Sequence, residues 1–137
     1  MDPTARRFVL ASVAWLAAGT LLGLAMAWPG AYPVPVQGGR PLPAHAHIQV
    51  FGFVTMMIFG VALHILPRFQ GRPLPSRLVA EAQWAAANAG LLLFAAGHLF
   101  AAERWIAAGG TLMAVSVFAF AWQVARLFTR ERGERAP

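Results

Sequence analysis

Residues 44–69 read AHAHIQVFGFVTMMIFGVALHILPRF, and this stretch decides how the rest of the chain is read. From Ala44 to Leu66 there is no aspartate, glutamate, lysine or arginine. About 20 apolar residues are enough for a helix to cross a hydrocarbon core of roughly 30 Å. The run is too long for a strand and lacks alternation with a period of two. It therefore reads as a membrane-spanning helix with histidines near both ends.

Three further runs of the same kind lie on either side. The four predicted spans are about Phe8 to Trp28, Ala44 to Leu66, Leu78 to Ala102 and Trp105 to Phe128, each of 21 to 25 residues. Composition agrees. Of 137 residues, 58% are hydrophobic and 12% charged, whereas a soluble domain is nearer half apolar and a quarter charged. A chain this short cannot hide that much apolar surface within a water-facing globule. The expected architecture is all-α, a single four-helix transmembrane domain over residues 1–137. The sequence has no cysteine, which excludes disulfides, thiolate metal sites and iron–sulfur clusters.

The formal charge of +6 comes from 11 arginines and no lysine. They flank the apolar blocks instead of interleaving with aromatics on one element, which argues for a lipid bilayer and against nucleic acid as the partner. With the N-terminus inside, the inner side carries Arg6, Arg7, Arg68, Arg72, Arg77, Arg126, Arg130, Arg132 and Arg135. The outer side carries Arg40 and Arg104. The positive-inside rule then places both termini in the cytoplasm of a bacterial-type inner membrane, with Trp28 and Trp105 at outer headgroup level. Arg6-Arg7 followed by an apolar run and Ala25-Met26-Ala27 imitates a secretory signal. Its apolar core of about 20 residues exceeds the usual 7–15, so the segment is expected to be kept as a span.

Residues 29–43 hold five prolines and three glycines, the composition of an extended outer loop containing Tyr32, with Pro43 in the first turn of the second helix. Pro67, Pro73 and Pro75 end that helix, Ser76 caps the third, and Glu81 is placed to pair with Arg77 at i, i+4. Gly19 with Gly23, Gly52 with Gly60, and Gly90 with Gly97 allow close helix packing and offer possible seams for oligomers.

Chemistry, if there is any, lies in His45, His47, His64 and His98, because ionisable groups within a membrane usually face a cavity, a partner or a cofactor. His45, His47 and His98 fall at one outer depth. His64 lies about 25 Å further along the second helix, beside Arg68 at the inner boundary, and cannot serve the same centre. Residues two apart are about 200° apart around a helix, so His45 and His47 point to opposite sides and cannot chelate one ion together. That suits a helix between two cofactor pockets, one imidazole for each. Heme fits, since neutral imidazole binds its iron and apolar helices supply a flat slot. Interfacial histidines bonded to headgroups, water or loops are the other reading. Met26, Met56, Met57 and Met113 read as core filling.

The stretch HAHIQVFGFVTMMIFGVALHILPRF resembles the catalytic-subunit helices of the heme-copper oxidase and nitric oxide reductase superfamily. There, a helix carries His-x-His near its outer end, one histidine for the high-spin heme and one for the low-spin heme; His45 and His47 match this motif. The resemblance covers roughly 25 residues, including Gly52, the phenylalanine-rich face and the Pro67-Arg68 exit, and elsewhere rests on helix number. Family catalytic subunits have twelve helices in three arcs of four, so the resemblance implies that a homotrimer of this chain would reproduce that plan. Heme b would then lie between protomers, with His47 of one copy and His45 of the next as axial iron ligands. Electron transfer or binding of a diatomic gas (O2 or NO) follows as the expected role, with a quinol or cytochrome as electron donor.

Two features depart from the family pattern. The family copper site uses three histidines, including a His-His pair, and often a linked tyrosine; the third span offers only His98, and the sole tyrosine is Tyr32. Full oxygen or nitric oxide reduction is therefore not implied. His98 reads as a partner of the ligands, an alternative ligand or part of a vestigial metal site. A copper or zinc site built from His45 or His47 with His98, or an accessory subunit whose histidines are merely interfacial, are the alternatives. Glu81, Gln83, Asn88, Thr55, Ser116 and Gln123 are read as interhelical hydrogen-bonding groups before a proton path.

Overall fold

Asp2 and Pro3 start the first helix five residues before the apolar run does. A computed structural model describes residues 2–28 and 39–129, and in it α1 spans Pro3–Ala27. Asp2 Oδ1 accepts the main-chain N–H groups of Thr4 (2.9 Å) and Ala5 (3.3 Å). Pro3 follows at a position whose amide would go unused in any case.

The second span, α2, is one continuous helical rod, Pro41–Phe69. It is α-helical over Pro41–His47, π-helical over Ile48–Thr55 and α-helical again over Met56–Phe69. It starts three residues before the expected boundary and continues through Pro67 instead of stopping there. It ends at Gly71, whose φ of 60° is a left-handed conformation that favours glycine. Gly71 N–H donates to the Arg68 carbonyl (3.0 Å) and Arg72 N–H to that of Pro67 (2.9 Å), the paired closure known as a Schellman motif.

The third helix, α3, runs Arg77–Leu99 with Ser76 as its cap, its hydroxyl accepting from Val79 N–H at 3.3 Å. The fourth, α4, runs Glu103–Thr129. The expected four spans are thus present, and all four helices are long and apolar enough to cross a membrane. The 29–43 loop and Tyr32 lie mostly outside the described residues, as do Arg130, Arg132 and Arg135.

In lipid, helices do not associate by escaping water, so close packing must hold them. The core does this around α2. Phe59 of α2 meets Phe8 of α1 edge-on (5.8 Å, 86°) and Phe120 of α4 at 4.5 Å. Met56, Leu63, Leu91 and Met113 complete the packing. Between α3 and α4 the backbones themselves touch: a Cβ on Gly109 would sit 2.4 Å from Phe94 N and 2.6 Å from Gly90 O. The glycine pairs singled out in the sequence all serve contacts inside this chain.

Polar side chains stitch the helices as expected, with different partners in places. Trp15 Nε1 donates to Asn88 Oδ1 (2.9 Å) between α1 and α3, and Gln123 Nε2 to Gln83 Oε1 (3.4 Å) between α4 and α3. Glu81 bonds Thr4 and Arg7 of α1, not Arg77, which reaches Asp2 instead (3.4 Å). The tie across helices replaces the local one because α1 brings its first turn alongside α3. Ser116 and Thr55, expected to bond between helices, instead bond carbonyls of their own, Met113 and Val50, where a hydroxyl reaches back along the same helix.

Candidate functional site

His45, His47 and His98 come to one end of the bundle, and the helices dispose of each differently. The α-helical turn Pro41–His47 that precedes the π segment carries the first two. His45 turns to α1, where its Nδ1 donates to the Gly19 carbonyl at 2.9 Å. The ring fills space left by glycine: a Cβ on Gly23 would lie 2.7 Å from His45 Cε1. Gly23 thus leaves room for the imidazole and Gly19 supplies its acceptor.

His47 turns the other way. Its ring stacks on Phe94 of α3 with centroids 4.3 Å apart and a 43° tilt, and its Nδ1 donates to the Pro43 carbonyl at 3.0 Å. The opposite orientation of the two histidines, expected from their spacing, is what their contacts show. In both rings the proton donated at Nδ1 leaves Nε2 as the lone-pair nitrogen. Metal-binding histidines are commonly oriented this way, by a main-chain carbonyl on the other ring nitrogen.

His47 also lies at the lip of a groove of about 430 Å³ between α2 and α4. Ala46, Val50, Phe51 and Thr55 form one wall; Met113, Ala114 and Val117 form the other. This wall of α2 is largely the π segment, in which backbone bonds reach five residues back, and the Thr55 hydroxyl donates to the Val50 carbonyl (3.0 Å) across the same interval. π segments recur at functional sites.

His98 also meets Phe94, edge-on, with ring centroids 4.7 Å apart. Phe94 thus touches both His47 and His98. His98 Nδ1 is buried with no hydrogen-bond partner. Its carbonyl accepts Arg40 N–H (2.8 Å), and the Arg40 side chain pairs with Glu103 (3.2 Å), tying the start of α2 to the start of α4. Among the described residues, no group of three or more His, Asp or Glu side chains could hold a metal ion. His64 is at the opposite end of α2, against Asp2 and Arg68.

Sequence reasoning missed Phe94, the glycine seat and the π segment. The seat had a signal, a Gly-x3-Gly pair at the depth of His45. The π segment had none in the residue pattern.

Comparison with known proteins supplies the family. The family described as "Cytochrome C and Quinol oxidase polypeptide I" matches residues 3–130. No curated protein and no solved structure matches the chain.

Proposed function

The chain belongs to the cytochrome c and quinol oxidase polypeptide I family, the heme-copper oxidase subunit I family, and on that premise we propose that it binds heme b through His45 and His47. It is a multi-pass membrane protein, and its second helix resembles the family's His-x-His helix.

The observation that carries the reading is the hydrogen bond each ring makes through Nδ1, to Gly19 and to Pro43. These bonds fix the tautomer and leave a basic Nε2 on each of two opposite flanks. His47 is the better placed, because it opens on the apolar groove against α4. His45 is held tightly by α1 and serves as the ligand on the other flank. Val50, Phe51, Met113 and Val117 exclude water from the groove, and the Phe94 face sets the plane of His47. When bound, heme supplies an iron that carries one electron, or that binds a diatomic gas if one axial position stays open.

An open groove on one flank and a held imidazole on the other support a homo-oligomer in which neighbouring copies complete each heme site. Four helices per chain favour a trimer, closed by cyclic symmetry. Both termini are assigned to the cytoplasm of a bacterial-type inner membrane from the arginine distribution, and a quinol or a cytochrome is the expected donor. Copper is the weaker reading, since among the described residues no group of three or more His, Asp or Glu side chains could hold the ion.

The test is an absorption spectrum of purified, reduced protein after expression with ample heme, before and after carbon monoxide. A Soret band that His47→Ala removes supports the reading. Colourless protein, or pigment retained by a His45→Ala, His47→Ala double variant, defeats it.

A further inference from the structure

At the end of the bundle away from His45 and His47, donors outnumber acceptors. Among the described residues this end carries six arginines, Arg6, Arg7, Arg68, Arg72, Arg77 and Arg126, against the carboxylates of Asp2 and Glu81. Both carboxylates are engaged. Asp2 caps α1 and meets Arg77, and Glu81 takes the Thr4 hydroxyl and Arg7. Arg126 lies over the Trp122 ring at 5.3 Å.

Among the described residues Arg68 meets no carboxylate: its guanidinium faces His64 Nε2. The other ring nitrogen, Nδ1, lies 3.3 Å from the Asp2 main-chain N–H, which donates to it. A neutral imidazole has one N–H and one lone pair. With Nδ1 accepting, the proton is on Nε2, so an imidazole N–H and a guanidinium with donors only converge without an acceptor between them. What satisfies both is an oxyanion, and the planar guanidinium fork suits a phosphate.

We infer that His64 and Arg68 bind the headgroup phosphate of an anionic phospholipid. Arg68 is solvent-accessible and His64 half-buried, so the site is open from the side. It ends a 29-residue apolar rod, which puts it at headgroup depth. Phe69, next to Arg68 in the chain, is 82% exposed, apolar surface that suits the acyl-chain boundary and would have no use beside a free phosphate. Asp2 does not compete for Arg68, because its oxygens are committed to the α1 amides and Arg77. The inference does not depend on heme.

Native mass spectrometry of the full chain in detergent, titrated with phosphatidylglycerol or phosphatidylcholine, tests it. The wild type should prefer phosphatidylglycerol by about tenfold, and Arg68→Gln should bring that preference to within about twofold. His64→Phe should weaken it by about threefold, and Arg104→Gln, at the other end of the bundle, should leave it intact. Arg68→Lys keeps charge without the fork and should fall between wild type and Arg68→Gln, which also covers a failure of Arg68→Gln to fold. An unchanged preference in Arg68→Gln, or an equal loss in Arg104→Gln, overturns the site. Full displacement of the lipid by equimolar inorganic phosphate would show a free-phosphate site and overturn the lipid assignment.

Discussion

The imidazole of His45 occupies the space that a side chain on Gly23 would need, with Cε1 2.7 Å from the missing Cβ. One helix thus holds a ring of another in a fixed orientation by having no side chain there. Gly23→Val must push the ring out and break its bond to the Gly19 carbonyl. If His45 ligates iron, heme affinity should fall about tenfold or more, the usual scale for disturbing a ligand's orientation. Gly110→Val is the control, since its Cβ meets Phe94 only at 3.9 Å. Heme-to-protein ratio after purification reads both, and a full heme complement in Gly23→Val removes His45 from the ligand set.

Gly109 bears on stability instead. A methyl there meets Phe94 N and Gly90 O, both backbone atoms, so α3 and α4 must move apart and no side chain can yield. Overpacking of this kind costs about 1–3 kcal/mol. Gly109→Ala should lower the thermal midpoint in detergent clearly, and Gly110→Ala hardly at all. Equal midpoints would mean that the two helices do not pack this closely.

Much of this was legible from residue types, for reasons that differ by position. Span number followed from the length of uncharged runs, because lipid admits helices that satisfy their own backbone. Span ends did not, since they depend on caps: Asp2-Pro3 and Gly71 were readable signals, outweighed by reading hydropathy alone. Ala101 gave no signal at all. It takes a φ of 54° after α3, a left-handed position that usually selects glycine, while Ala102 N–H closes on the Gly97 carbonyl at 2.8 Å. The opposed histidines were legible because they sit in a regular α-helical turn. What lies beside them was not: Phe94 and Gly23 are remote in sequence, and only packing brings them to His47 and His45.

Asp2 gives α1 a dependence on pH. Burial alone would raise its carboxyl pKa, but the N–H groups of Ala5 and Thr4 and the Arg77 guanidinium outweigh this and hold it below the usual 3.8. A carboxyl depressed in the folded state adds stability that is present above its unfolded pKa and lost as pH falls through the folded one. Asp2→Ala should therefore cost about 1 kcal/mol near neutrality, the common value for an N-cap. Its difference from wild type should close below pH 3.8. Unfolding midpoints measured from pH 7 downward would follow it, and a difference that persists unchanged through the acid range would show that the cap works without charge.

Gln83 and Gln123 are 1% and 0% exposed and share one hydrogen bond of 3.4 Å between α3 and α4. Gln83 Nε2 and Gln123 Oε1 have no partner, so the pair is only half satisfied. Removing one partner strands the other amide, which costs about 1–3 kcal/mol, whereas replacing both by apolar groups of similar shape is nearly neutral. Interhelical hydrogen bonds in membranes average about 0.6 kcal/mol, so little is lost with the bond itself. Gln83→Leu and Gln123→Leu should each destabilise the protein, and the double variant should recover most of that loss. A double-mutant cycle on unfolding in mixed micelles measures the coupling. Additive losses would mean that each amide has another partner in the membrane, and the pair would then be a hydrated site instead of an isolated contact.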